Sequence, residues 1–428
     1  MTFERLVRAL AAERQLAAWS ARGTHVRAAW LVRGAEPGRG ERVTTALAAT
    51  VHRDLAAGRG SASFTLDPGG SLPDALAAAL VRAGAAVGPA WRSPPPAAPA
   101  RVTVADPELS GADLGATAAA IADDVAAAAR AAGAEVVEVA VEVELESVRT
   151  MTRQGLDARW PASRLRVEAT LARGEVMARL ERTARRRADL EIGVAVADVV
   201  STAERRRRAQ APPVGRLPVV LRAPALAHGG RGLLEALVTQ ADPALERQGL
   251  VRYRPGQPIV PGAAMTAQPL TVVSDGTLPF GLRSAPLDHD GAAIRRFELV
   301  GKGVARGLGL DGREAALRGQ SPNGGVRGLV VGPGLEDEAG LTGDGPLLIV
   351  EAWSWLELVP VTGQFRAAIA LGHLRDRDQR HDVTGGVVRG DALTALALSR
   401  RSRERVTLPE YQGPALWHLG ELAIDGVA

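Results

Sequence analysis

Cysteine is absent from all 428 residues. That excludes disulfides, thiolate metal ligands and a cysteine nucleophile. Lysine occurs once, at Lys302, so nearly all positive charge is carried by arginine, and aromatic residues make up only 3%. The interior must therefore be built from Ala, Val and Leu, and stacking platforms for nucleic-acid bases are scarce. No run approaches the ~20 consecutive apolar residues of a membrane-spanning helix. The opening segment "MTFERLVRALAAERQLAAW" is amphipathic but carries Glu4, Arg5, Arg8, Glu13 and Arg14. It lacks the apolar core of a signal peptide, and a cytoplasmic location is expected.

Hydrophobic residues make up 46%, which marks a globular chain. The length suggests two domains, each with its own core. Net charge is only +4, from 52 basic and 48 acidic residues. The one basic run, Arg205–Arg208, stands at the end of a helical segment beside a proline-rich break, with no aromatic nearby. It reads as a solvated helix end, so no nucleic-acid partner is expected.

The first half alternates helices and strands. Residues 3–18 place apolar positions at helical spacing, and "VRAAWLVRG" and "SASFTL" read as short strands. Ser71 and Ser110 each precede an acid three residues on and then an Ala-rich run, which predicts two capped helices, the second ending at Gly133. "EVVEVAVEVELES" alternates strictly: Val137, Val139, Val141, Val143 and Leu145 on one side, Glu138, Glu142, Glu144 and Glu146 on the other. One buried and one wet face indicate antiparallel sheet. Same-face residues lie about 6.5–7 Å apart, so the acidic row is a solvated face and not a metal cluster. A turn at Gln154–Gly155 returns the chain through "RLRVEATL", and residues 174–210 read as helical with a break near Gly193.

"AQAPPVGRLP" is the best linker, which divides the chain into an N-terminal domain, 1–211, and a C-terminal domain, 212–428. The expected fold class is α+β: an N-terminal domain of helices and antiparallel sheet, followed by a β-rich domain with few helices. In the second domain "LPVVLRAP", "PLTVVSDG", "IRRFELV", "RGLVVG", "PLLIVEAWSWLELV", "FRAAIALGHL" and "ALWHLGELAI" are strands, and "DALTALALSRR" is a helix. "LVGKGV" forms a hairpin tip with Lys302 exposed. The glycine clusters do not follow the strand–turn–helix order of a phosphate cradle.

Chemistry-bearing residues are few. In "LRAPALAHGGRGLLEALV", His228 and Glu235 are seven positions apart. Even on one helix face the rise would separate them by about 10 Å, whereas zinc ligands lie near 2 Å from one ion. His289 stands between Asp288 and Asp290, while His373 and His381–Asp382 flank the charged stretch "LRDRDQR" and would meet across a hairpin. No serine lies in a nucleophile-elbow motif.

An ordered set of segments resembles the TldD/PmbA peptidase family, more closely its PmbA (TldE) branch. The segments are "LTVVSDGTLPFGLRSAPLDHDGAAIRRFELVGKGV" (270–304), "SPNGGVRG" (321–328), "WLELVPVTGQFRAAIALGHL" and "HDVTGGVVRGDALTAL". "GRGSASF" and "ADPELS" extend the likeness loosely into the first half. The resemblance implies that TldD-type subunits carry a His-Glu-x-x-x-His helix completed by a cysteine, about where "LAHGGRGLLEAL" stands here. Neither the motif nor a cysteine is present. PmbA-type subunits are expected to lack the metal and to pair with a TldD-type zinc subunit as a heterodimer acting on peptides.

On that basis this chain is expected to be a non-catalytic subunit with no catalytic residue, metal or cofactor of its own, zinc residing in the partner. Candidate groove or interface residues are Asp288, Asp290, Arg295, Arg296, Asn323 and Arg327. Arg295 and Arg296, in a strand, should point to opposite faces. Departures at His289, in place of an acid, and Pro322, in place of a small residue, point toward one specialised biosynthetic substrate, such as the leader peptide of a modified natural product. The alternatives are a self-sufficient metal-dependent hydrolase using His289, His373 and His381, or a homo-oligomeric peptide-binding module.

Overall fold

A computed structural model describes residues 2–67, 69–343, 345–376 and 379–426. The N-terminal part contains α1 (Phe3–Ala12), β1 (Ala18–Arg33), β2 (Gly38–Leu55), β3 (Gly58–Leu66), α2 (Leu72–Ala85), β4 (Val87–Gly88), α3 (Leu114–Ala131), β5 (Glu135–Thr152), β6 (Asp157–Arg173), β7 (Val176–Ala184) and α4 (Ile192–Arg208). The strands form one antiparallel sheet in the order β4-β3-β2-β1-β5-β6-β7.

All four helices cover one face of this sheet. α3 presents Leu114, Ala118, Ile121, Ala122, Val125 and Ala129, the spacing of a single helical stripe, to Val139, Val141 and Val143 of β5. α1 and α2 cover the other end through Leu6, Leu10, Leu76 and Leu80 against Trp19, Leu47 and Val51. The alternation in β5 holds from Val139 onward, but a register shift between Val136 and Glu138 turns Val137 out to solvent. On the uncovered face Arg42 bridges Glu142 and Glu144 at 3.2 and 3.1 Å.

Several local expectations need correction. The cap of α3 is Asp113, whose side chain accepts from Ala116 N; Ser110 instead closes the short 3-10 turn Pro107–Leu109. Residues 176–184 form a strand, β7, because "VMARLERTA" finds β6 as its partner, and the helix starts only at Ile192. Gly193 lies within its first turn and breaks nothing. Arg205 is no free helix end. It is bound bidentately to Glu351 (2.7 and 2.9 Å) and Asp382 (3.0 and 2.6 Å), which ties α4 to the second half. These bonds hold its guanidinium above its ordinary pKa, and hydrogen bonds from His373 and Arg205 hold Glu351 well below the usual carboxylate range, despite burial acting the other way on both.

After residue 215 the chain builds two further sheets. β8 (Gly215–Arg222) leads into two short helices, α5 (Ala223–Leu226) and α6 (Glu235–Gln240). Then come β9 (Val272–Asp275), β10 (Phe297–Gly301), β11 (Val304–Ala305), β12 (Gly328–Val331), β13 (Leu347–Val359), β14 (Gln364–Asp376), β15 (Gln379–Val383) and β16 (Val387–Asp391). Last are β17 (Arg400–Arg401), β18 (Arg405–Leu408), β19 (Tyr411–Pro414) and β20 (Leu416–Asp425). One sheet runs β11-β10-β9-β12-β19-β18. In the other, β13-β8-β20-β16-β14 closes on itself because β13 also pairs with β14, making a five-stranded barrel from which β15 extends. Closure removes the sheet edges. The fold is thus α+β, with a helix-backed antiparallel domain and a β-rich domain. Among the described residues no helix is long and apolar enough to cross a membrane.

The two halves meet where the segment 280–296 lies across the lower end of the bare sheet face. Leu287 and Ala293 pack on Leu156 and Ala158, with Trp160 alongside. At Gly291, φ is +89°, and an added Cβ would stand 2.8 Å from Leu156 and Thr152 side-chain atoms, so only glycine fits. A proline-rich strap joins the contact through Ala100 N to Pro286 O (3.0 Å) and Phe280 N to Thr103 O (2.8 Å).

Candidate functional site

The sequence-selected residues fall in four places. Asp288 is only 3% exposed; its Oδ1 accepts the backbone N–H groups of Asp290 and Ala292, at 3.0 and 2.8 Å, and builds the turn that ends in Gly291. Its Oδ2 has no hydrogen-bond partner, and burial raises the pKa of the carboxyl. Asn323 is also structural. Its Oδ1 accepts from Leu310 N and Gly325 N, and its Nδ2 donates to Leu308 O.

Asp290 belongs to the junction between the halves. Ser20 Oγ donates to its Oδ1 at 3.4 Å, and His289 Nε2 lies 3.2 Å from its Oδ2. The carboxylate sits between hydroxyl and imidazole, so His289 is held away from Ser20 and the trio lacks the serine–histidine order of a nucleophilic triad. Hydrogen bonding to Asp290 raises the His289 pKa to about 9, leaving the ring cationic at neutral pH. Beside it is a cavity of about 60 Å³ lined by Trp19, His52, Trp91, Asp290 and Arg313, among others. The buried indole N–H groups of Trp19 and Trp91 lack acceptors, and the space suits a few bridging waters.

Arg295 and Arg296 are not in a strand. β10 begins at Phe297, and both arginines lie in the extended connection before it, both exposed; the expected division into one inward and one outward side chain does not hold. Ala293 is bridged to Leu287 and Arg295 N donates to Asn323 O, so this segment is pinned by its neighbours before the sheet pairing starts. Both arginines line an open groove of about 360 Å³ together with Arg306, Phe297, Leu308, Leu310 and Asn323. Arg327 lies elsewhere. Its backbone N–H donates to Ser274 Oγ and its Nε to Gly324 O, and burial lowers its pKa while nearby Asp288 raises it.

The histidines do not converge. His373 and Asp382 stand opposite each other on β14 and β15, as a hairpin requires, while the tip residues Arg377 and Asp378 lie outside the described residues. Yet His373 Nδ1 bonds to Glu351 at 2.9 Å and Asp382 is taken by Arg205, while exposed His381 has a 3.4 Å contact with Gln379. Among the described residues no three of His, Asp and Glu are grouped as metal ligands.

The stretch around His228 holds a feature that sequence reasoning missed. α5 and α6 are separate because Gly229, Gly230 and Gly232 all take positive φ; at Gly232 a Cβ would lie 2.1 Å from Leu226 O. In the turn they make, Arg231 is driven inward, 7% exposed. Its guanidinium lies 3.4 Å from Glu235 and 3.6 Å from Glu410, and Nη2 donates to the carbonyls of Val326 (3.0 Å) and Arg327 (2.8 Å). Arg283 binds Glu410 from the other side. The i, i+4 spacing of Arg231 and Glu235 was the available signal. A fixed cation already balances these carboxylates, His228 makes no partner of Glu235, and no thiolate exists. The local residues therefore do not fit a zinc site.

Removing that cation should cost about 3–5 kcal/mol, the range for breaking a buried pair by deleting one partner. Arg231→Ala is expected to lower the urea midpoint accordingly, while Arg231→Lys recovers only part, having no fork to reach both carboxylates and both carbonyls. An unchanged midpoint for Arg231→Ala would show that the cluster is not holding the domain.

Residues 215–409 match the model of the PmbA/TldA metallopeptidase C-terminal domain. The second half of the chain thus carries a C-terminal domain of the PmbA/TldA type. A search of curated proteins finds no match. Solved structures share the whole fold. A Thermotoga maritima protein described as a proposed modulator of a DNA gyrase is 15% identical, with a TM-score of 0.78 over 99% of this chain and 100% of that one. TldE from Thermococcus kodakarensis is 16% identical, with a TM-score of 0.74 and 99% of both chains covered. A proposed modulator of DNA gyrase from Bacteroides thetaiotaomicron is 13% identical, with a TM-score of 0.77 and 99% of both covered. At these identities the likeness is one of fold.

Proposed function

We propose that this chain is the non-catalytic, TldE/PmbA-like subunit of a cytoplasmic heterodimer. Its partner is a TldD-type zinc metallopeptidase subunit, and together they bind and cleave peptides. The observation that carries this reading is Arg231. Where the family resemblance places a metal-binding helix, this chain has two short helices and a buried guanidinium clamped by Glu235 and Glu410. A chain so arranged supplies binding surface, and hydrolysis belongs to the partner. The departures at His289 and Pro322 favour a dedicated substrate, such as a leader peptide of a modified natural product, over general peptide turnover.

The expected result is that the purified chain contains no stoichiometric zinc and cleaves no peptide, and that cleavage appears on co-expression with a TldD-type subunit carrying His-Glu-x-x-x-His. Elemental analysis showing about one metal per isolated chain, with peptidase activity lost on substituting His289 or His373, would replace this reading by the self-sufficient hydrolase. A stable homo-oligomer that ignores every TldD-type partner would point to the peptide-binding module.

A further inference from the structure

We propose that the groove between residues 295–298 and the segments 306–310 and 320–323 binds an acidic, extended peptide segment, with a substrate carboxylate held by Arg295. The proposal rests on the peptide-binding role above and names the chemistry of the peptide. The groove encloses about 360 Å³, at the small end of the range of ligand pockets. Its polar rim carries three guanidinium groups, Arg295, Arg296 and Arg306, against one lining carboxylate, Glu298. Arg306 faces Glu298 at 3.7 Å, and Arg296 faces Asp275, outside the groove lining, at 3.4 Å. Among the described residues Arg295 has no carboxylate within 4.0 Å, so its planar fork is free to take one bidentately. Phe297 and the buried Leu308 and Leu310 add apolar surface.

The backbone around this rim is fixed. Arg295 N is bonded to Asn323 O at 3.0 Å, and Asn323 in turn secures residues 308, 310 and 325. The cation is thus presented from a tied segment. Charge selects an acidic ligand, and the apolar surface selects a neighbouring aliphatic side chain. With Phe297 as the single aromatic, the groove lacks the successive stacking surfaces used by single-stranded nucleic acid.

The test is fluorescence anisotropy on the full chain without any partner, using labelled peptides of Gly-Leu-Glu repeats and of Gly-Leu-Gln repeats at low salt. The glutamate peptide should bind at least about tenfold more tightly, equivalent to about 1.4 kcal/mol, and should weaken as salt screens the pair. Arg295→Gln should weaken it by about the same factor, Arg306→Gln should weaken it in the same direction, and Arg207→Gln, an exposed charge on α4, should leave it unchanged. Equal binding of the two peptides, indifference to both groove substitutions, or tighter binding of oligothymidylate would overturn the assignment. Because no partner is present, failure here leaves the paired-peptidase reading standing, and failure to find a partner leaves this assay intact.

Discussion

Arg185→Ala should be among the most destabilising single substitutions in this chain, and Arg185→Lys should rescue it only in part. Arg185 follows β7 and reaches into the junction of the two halves. Nε donates to Gly281 O (3.0 Å), Nη1 to Val104 O and Ser163 O (both 3.1 Å), and Nη2 to Leu282 O (3.1 Å) and Ser284 O (3.3 Å). All five N–H groups are thereby used, on carbonyls from both domains. Among the described residues no carboxylate pairs with it. Burial lowers its pKa to about 10, which still leaves it charged at neutral pH. Hydrogen bonds to a charged group contribute about 1.5–3 kcal/mol each, and orphaned carbonyls cost more. Their losses are not additive, so a total of about 3–5 kcal/mol is expected for alanine. Lysine, with three donors and no fixed fork, leaves at least two carbonyls unserved. Urea unfolding followed by tryptophan fluorescence reads this directly. A midpoint within experimental error of the parent for Arg185→Ala would show that the junction is held by other contacts. A transition that splits in two would show the domains separating before either unfolds.

Acidification should destabilise the protein well above the range where carboxylates titrate, and His52 should account for much of it. His52 on β2 is buried, with Nδ1 2.8 Å from Ser61 Oγ and its ring edge-on to Trp91 at 5.0 Å. Burial lowers its pKa from 6.5 to about 4, with Arg59 adding to the shift and Asp290 opposing it. The folded state therefore binds fewer protons than the unfolded state between these values. Stability from the neutral ring is complete above about pH 6.5 and is lost as pH falls toward 4. At about 1.36 kcal/mol per pH unit the loss approaches about 3 kcal/mol. His228 and His418 are lowered by burial and add the same sign. His289, raised by Asp290, acts at the opposite end: its contribution is complete below about pH 6.5 and fades as pH rises through about 9. The measurement is the urea midpoint across pH 4–7 for the parent and His52→Gln, which keeps a side-chain hydrogen-bonding group. A clear flattening in the variant is expected. Parallel curves would mean that His52 is protonated freely in the folded state.

Strand and helix identity followed local pattern where one element buries one face. β5 was legible because Val139, Val141 and Val143 alternate with glutamates, and α2 because Ser71 caps it. β2 left no such mark: it runs 18 residues, but much of its first half is exposed, so no apolar alternation records it. β7 was misread because its short alternating run also accommodates a helix, and only β6 alongside decides between them. Arg295 and Arg296 were given opposite faces of a strand, which fails because the register of β10 starts after them.

The sequence by itself determined the α+β class, the lack of any thiolate chemistry and the family resemblance of the second half. These depend on residue type and near-neighbour spacing. Only the tertiary structure decided what the charged side chains do. Arg185, Arg205 and Arg231 look alike in a chain with one lysine and many arginines, yet each is committed to partners far away in sequence. Among the described residues Arg295 has no carboxylate partner. An arginine's role is set by which carbonyls and carboxylates converge on its guanidinium, and that convergence arises only when sheets from distant segments pack together.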